Sequence, residues 1–267
     1  MNRRKFIYNS SFASLSVMGL NSCNLLNNDV KLTILHTNDV HSQIEPFPLN
    51  HNEYPNKGGF ARRANIFKGL MKINPNTLIF DAGDIFQGTP YFNFFKGDLE
   101  LNLMKKMGYN AATIGNHEFD AGLKSLKKNI LNNNFQFISS NYNFDNTELE
   151  GLVSKYKVYK RQGIKIGVFG LGIELKGLVN SSLYKETKYY DPVEIAKEMT
   201  RKLKEEKKCD LIICISHLGH TYQNDKISDL KLGKLTSDID LIIGGHTHTL
   251  LKKPEIIKNS KNEDVII

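Results

Sequence analysis

Five apolar runs in this chain end at glycine, aspartate or histidine, and each end delivers a metal-ligating or proton-carrying group. Lys31–Leu35 leads into His36-Thr37-Asn38-Asp39-Val40-His41. Thr77–Phe80 leads into Asp81-Ala82-Gly83-Asp84. Tyr109–Ile114 leads into Gly115-Asn116-His117-Glu118-Phe119-Asp120. Asp210–Ser216 ends at His217, and Ile239–Ile243 ends in Gly244-Gly245-His246-Thr247-His248. Short continuous apolar runs read as strands buried on both faces. Open α/β sheets gather their ligands at the carboxyl ends of such strands. The pattern therefore restricts the chain to an α/β fold with its chemistry along one sheet edge.

The spacing within each end carries the chemistry. Asp39 and His41 are two apart, as are His246 and His248, so in extended chain each pair shares a face. A carboxylate with an imidazole, or two imidazoles, can then close on one metal ion. Asp84 stands at a strand end inside a glycine-rich turn, and His217 stands directly at its strand end. Asn116, His117 and Asp120 follow Gly115. Taken singly, each is also ordinary turn or loop chemistry. Together they supply three carboxylates, one amide and five of the eight histidines, more than one metal needs and about right for two. His36 reads as a support for its loop and His220 as incidental.

The segments between are coarser. Helical spacing predicts Phe60–Lys72, Leu99–Met107 capped by Asp98, Leu123–Leu131, and a long helix from Asp191-Pro192 to about Lys208. Gly58-Gly59 opens the first, either as a plain turn or as a helix start whose free N–H groups favour an anion. Phe135–Ser139 alternates as a strand. Lys155–Tyr159 and Ile164–Leu171, joined through Arg161-Gln162-Gly163, predict an antiparallel hairpin, so the sheets are mixed. Residues 172–190 read as irregular, and Asp264–Ile267 starts a further strand.

The formal net charge of the 267 residues is +8. Arg3, Arg4 and Lys5 supply three of it, so a chain beginning at Cys23 keeps +5 (8 − 3). A basic surface can attract phosphates, nucleic acid or anionic lipid, but no dense Lys/Arg run with interleaved aromatics appears, and nucleic acid is not an expected partner. Residues 1–22, with twin arginines and a modest apolar segment from Phe12 to Leu20, read as an export signal. Leu20-Asn21-Ser22-Cys23 has the form of a lipobox, with Cys23 as the lipidated residue. Residues 23–30 then read as a tether and 31–267 as the domain that carries the five strand ends, with its C-terminal end reading as incomplete, and the periplasm or cell envelope is the expected location. Cys209 and Cys214 bracket about 16 Å of strand, too far for a disulfide, which needs Cα atoms within about 7 Å.

In order and type, Asp39-Val40-His41, Gly83-Asp84, Gly115-Asn116-His117-Glu118, Ser216-His217 and Gly245-His246-Thr247-His248 resemble the calcineurin-like metallophosphoesterases. Leu35–Ser42, Gly83–Pro90 and Gly115–Asp120 further resemble the N-terminal domain of the 5′-nucleotidase family. The resemblance implies a double β-sandwich flanked by helices. It implies two divalent metal ions, one on Asp39, His41, Asp84 and His248, the other on Asp84, Asn116, His217 and His246, with Asp84 bridging. It implies hydrolysis of a small phosphorylated substrate, a nucleotide above all, by metal-activated water. His117 would stabilise the transition state or protonate the leaving alkoxide, Asp120 would orient His117, and Asn116 would also meet the substrate. Nitrogen and oxygen ligands suit Zn, Mn or Fe. A cyclic phosphodiesterase or a nucleotide-sugar hydrolase uses the same residues. Family members usually carry a second, C-terminal domain for which this chain has no room. A separate partner chain would then supply it, or the chain would be a decayed or truncated product, or the non-catalytic, metal-binding half of a two-chain complex.

Overall fold

The computed structural model describes residues 30–267. The expected export signal, Cys23 and the tether up to residue 29 lie outside the described residues.

Strands are numbered in chain order. β1 (Thr33–Thr37), β2 (Thr77–Asp81) and β3 (Ala111–Ala112) form a parallel sheet in the order β1-β2-β3. β4 (Tyr142–Asn143) and β7 (Lys188–Tyr189) make a small antiparallel ladder. The larger sheet contains β5 (Tyr156–Arg161), β6 (Ile164–Leu171), β8 (Leu211–Ser216), β9 (Leu241–Ile243), β10 (Ile256–Lys258) and β11 (Asp264–Ile266). Its order is β10-β11-β9-β8-β6-β5, parallel in the middle and antiparallel at both edges. The predicted hairpin is β5–β6, which closes with Arg161 opposite Ile164.

The two larger sheets face each other. Leu78 and Phe80 of β2 and Ala111 of β3 share one buried cluster with Ile166 and Val168 of β6, Ile213 and Ile215 of β8, and Ile243 of β9. That layer is the inside of the sandwich. The outer face of the small sheet is covered by the helices Phe60–Ile73, Asp98–Met107 and Gly122–Asn133, through Phe67, Leu101, Met104, Leu123 and Leu126. The outer face of the large sheet is covered by Pro192–Arg201 and Asp229–Leu235, through Ala196, Met199 and Leu232. The expected double sandwich flanked by helices, with mixed sheets, is the fold found. Phe80, fully buried between the sheets, is expected to cost about 3–5 kcal/mol when replaced by alanine, read as a lowered denaturant midpoint.

The local differences from the sequence reading have physical causes. β3 is only two residues long, because after Thr113 donates to Asp81 the chain turns into the site. Phe135–Ser139 forms no continuous strand; Phe137 and Ile138 make single bridges to Ala112 and Ser154. Pro90–Phe95 is a short helix that sequence spacing did not suggest. Asp98 lies in the first turn of its helix, and Gly97 takes the cap position. The long helix is regular only over Pro192–Arg201, with Asp191 accepting from Val193 and Glu194 N–H at 2.9 Å each, and then widens to a π turn over Lys202–Glu206. Within residues 172–190 lie a short helix, Ser181–Tyr184, and β7. Cys209 and Cys214 are both buried and unpaired. Among the described residues no helix is long and apolar enough to cross a membrane.

Candidate active site

The carboxyl ends of β1, β2 and β3 in one sheet and of β8 and β9 in the other deliver the five motifs to one place. The loop after β1 is sewn to the loop after β2: Asp39 N–H donates to Gly83 O at 2.9 Å, His41 N–H to Asp84 O at 3.1 Å and Ser42 N–H to Ile85 O at 2.8 Å. The loop after β9 then closes on β1, where His246 N–H lies 2.9 and 3.0 Å from the two carboxylate oxygens of Asp39. Asp39, His41, Asp84, His246 and His248 all hold left-handed φ angles, 48, 45, 55, 75 and 50°. Each such angle costs a non-glycine residue on the order of 1–3 kcal/mol, and strain of this kind collects where function requires it. Asp and His tolerate the region better than most residues.

Two sets of ligand atoms result. Asp39, His41 and His248 form one, and Asp84, His217 and His246 form the other; within each set the atoms lie within 4.8 Å of one another. In the first, His41 Nε2 and His248 Nε2 face each other at 3.1 Å, and His248 Nε2 is 3.4 Å from Asp39 Oδ1. The second is the more buried, with His217 fully enclosed, Asp84 2% exposed and His246 half-buried. His217 Nδ1 donates to the Ala82 carbonyl at 2.6 Å. That bond fixes the tautomer that points the Nε2 lone pair inward. His217 Nε2 stops 3.0 Å from Asp84 Oδ2, yet makes no well-formed hydrogen bond.

The donor set fits cations. His217 Nε2, His246 Nδ1 and Asn116 Oδ1 are buried polar atoms without a hydrogen-bond partner. Such atoms cost about 1–3 kcal/mol each unless something satisfies them. Burial alone would lower the basicity of His217, but the Asp84 carboxylate outweighs it and pushes the imidazole up to about 10. A positive charge is thus favoured between His217 and Asp84, and a divalent ion supplies it without a proton. His246 is driven the other way, down to about 4, first by burial and then by the charge of His217. A neutral imidazole with a free lone pair is a metal ligand in waiting.

His117 and Asp120 stand apart from both sets. They sit on the 3₁₀ turn His117–Phe119 and at its end. His117 Nδ1 and Asp120 Oδ2 are 2.7 Å apart, and that hydrogen bond is the main cause of a raised His117 pKa. The His117 ring packs 5.2 Å from that of His41, and its backbone N–H donates to Asp84 Oδ1 at 2.9 Å. The dyad is therefore fixed to both ligand sets while its side chain remains 34% exposed. His36 joins neither set, and His220 pairs with Glu255 at 3.4 Å. Gly59 answers packing: a Cβ there would meet Pro46 at 2.9 Å.

These residues stand on a recognised domain. Residues 32–250 match the family model of the calcineurin-like phosphoesterases. The chain belongs to that family. It is 32% identical over 262 residues to the trifunctional nucleotide phosphoesterase YfkN of Bacillus subtilis, covering 86% of this chain and 17% of that one. It is 33% identical over 243 residues to the 5′-nucleotidase of Vibrio vulnificus, covering 86% of this chain and 43% of that one. Among solved structures, the 5′-nucleotidase precursor of Thermus thermophilus superposes with a TM-score of 0.80 at 33% identity, covering 88% of this chain and 48% of that one. The chain spans less than half the length of these relatives. The expected family and fold, a hydrolase family on a mixed α/β scaffold, therefore hold.

Two groups had no role in the sequence reading. Asp81, at the end of β2, is pushed up to about 8 by burial and accepts from Thr37 Oγ1 at 2.5 Å and from Gly83 N–H at 2.9 Å. Glu118 is completely buried behind Asp84. The signal available for Glu118 was a charged residue beside Phe119 in an otherwise tightly packed turn.

Proposed function

We propose that this chain is the catalytic unit of an exported two-metal phosphoesterase that hydrolyses phosphate monoesters, with 5′-nucleotides or related small phosphates as substrates. The observation that supports it most is the pair of ligand sets with the His117–Asp120 dyad beside them. In this reading Asp39, His41 and His248 hold one ion, Asn116, His217 and His246 the other, and Asp84 serves both. Zn, Mn or Fe suits this mixture of nitrogen and oxygen donors. Bound there, two such cations would offset charge on the phosphoryl oxygens and would make a water acidic enough to attack at neutral pH. Nucleotides are the preferred class because the relatives are named as 5′-nucleotidases and a nucleotide phosphoesterase.

The chain's own residues then have separate tasks. Asp120 accepts from His117 Nδ1, which turns Nε2–H outward as the donor to the departing alkoxide. Asn116, next to His117 in the chain, would also meet a phosphoryl oxygen of the substrate. Because Asp120 raises the His117 pKa, the acid form persists to higher pH. Activity that needs protonated His117 falls as pH rises through that pKa. Asp120→Asn removes the charge, lowers the His117 pKa and is expected to move the alkaline limb of the rate profile to lower pH, which a kcat/KM–pH series would show. An unmoved limb would remove His117 as the acid.

Hydrolysis of AMP, cyclic AMP and a nucleotide sugar in parallel tests the substrate class; the monoester is expected to be the best. Residues 1–22 would direct export and Cys23 would carry a lipid anchor. Intact mass of the cell-envelope protein is expected to show loss of residues 1–22 and a lipid adduct on Cys23. A separate chain binding the nucleoside would raise affinity for nucleotides over aryl phosphates. Two bound ions with no turnover would instead make this the non-catalytic half of a two-chain complex.

A further inference from the structure

We infer that Glu118 is a positioning residue whose carboxylate holds the two ligand-bearing loops after β2 and β3 in register, so that metal affinity depends on it although it touches no metal. The inference rests on the two-metal reading above. Four backbone N–H groups converge on this side chain. Oε1 accepts from Ile85 at 2.7 Å and Phe86 at 3.3 Å, and Oε2 accepts from Asp84 at 2.9 Å and Gly115 at 2.6 Å. Three donors belong to the loop of Asp84, and the fourth begins the loop of Asn116. Glu118 itself is 0% exposed.

The geometry shows why a carboxylate is needed. All four neighbours are donors, so both oxygens must accept. A glutamine would turn its NH₂ toward two N–H groups in either orientation, leaving two buried donors unpaired. The carbonyls of the loop after β2 are tied to the loop after β1, whereas its N–H groups at Asp84, Ile85 and Phe86 are tied through Glu118 to the loop after β3, with Asp84 held in a left-handed conformation, φ 55°. Across the clamp the ligand residues are tightly spaced: a Cβ on Gly115 would lie 2.3 Å from Asp84 Oδ1 and 2.8 Å from His217 Nε2. A small shift of Gly115 relative to Asp84 would therefore move the second ligand set apart.

The test is a Co²⁺ titration of the chelated full-length protein, followed by visible absorption, comparing wild type with Glu118→Gln. Groups that orient metal ligands typically affect affinity by about 10–100-fold. Wild type is expected to bind two ions, and E118Q to bind them at least about 10-fold more weakly with an altered absorption band and native far-UV circular dichroism. If wild type binds no metal, the two-metal reading fails. If wild type binds two ions and a folded E118Q binds them with equal affinity and spectrum, the positioning role is wrong. Should E118Q not fold, Glu118→Asp, which keeps the charge but retracts it by one methylene, is read in the same way. If neither variant folds, the carboxylate serves the fold and not the site, which also overturns the inference.

Discussion

Replacement of His117 by alanine is expected to cut phosphate-ester turnover steeply while leaving metal binding intact. The ring belongs to neither ligand set, so its loss removes no metal ligand. Its own partner is Asp120 at 2.7 Å, and its ring contact is His41 at 5.2 Å between centroids. A positioned general acid contributes roughly 10²–10⁴-fold, and kcat is expected to fall by that factor with KM little changed. Leaving-group dependence separates this role from a packing role. An aryl phosphate, whose phenolate needs little protonation, is expected to lose less than an alkyl phosphate, and equal losses would argue against proton donation by His117.

Gly115→Ala is expected to be as damaging by a different route. The added Cβ would lie 2.3 Å from Asp84 Oδ1, 2.6 Å from Asp84 N and 2.8 Å from His217 Nε2. None of these atoms can retreat: Asp84 N is clamped by Glu118, and His217 is fully buried and bound to Ala82 O. Overpacking of a fixed region costs about 1–3 kcal/mol, and here the strain falls on candidate ligands of the second set. A folded protein with one metal per chain and no turnover is expected. Two metals at wild-type affinity would show that the site yields more readily than its packing implies.

The sequence made the site legible to an unusual degree because its chemistry is local. Asp39–His41 and His246–His248 are read from spacing alone, and strand ends announce themselves as apolar runs that stop. Six of the named residues, Asp39, His41, His248, Asp84, His217 and His246, come together as two sets of ligand atoms, and His117 pairs with Asp120. What stayed hidden was long-range. Glu118 clamps the N–H groups of residues 84–86, more than thirty positions earlier, and no periodicity records a carboxylate bonded to distant backbone. Asp81 is similar, with Thr37 as its partner across a parallel ladder. The fold erred where length decides. Phe135–Ser139 has the alternation of a strand, but its neighbours leave it only single bridges. Pro90–Phe95 carries too few residues for a helical repeat to show.

Ion pairs play little part in holding the fold. Lys197–Glu194 and Arg201–Glu206 lie on exposed helix surface, where such pairs contribute about 0–1 kcal/mol. Buried ionisable side chains gather instead at the site, at Asp84, Glu118, Asp81 and His217, with Glu100 and Asp229 buried as well. Burial of like-charged carboxylates without a cation is unfavourable. Metal loading is therefore expected to raise the thermal midpoint, by linkage to the folded state.

The most direct measurement is aryl phosphate hydrolysis by the chelated full chain during stepwise addition of Mn²⁺ or Zn²⁺, with bound metal counted in the same samples. Turnover is expected to be absent without metal, to rise as the sites fill and to level off at two ions per chain. Turnover that ignores chelation, or two bound ions with no turnover at all, would contradict a two-metal phosphoesterase built from these residues alone.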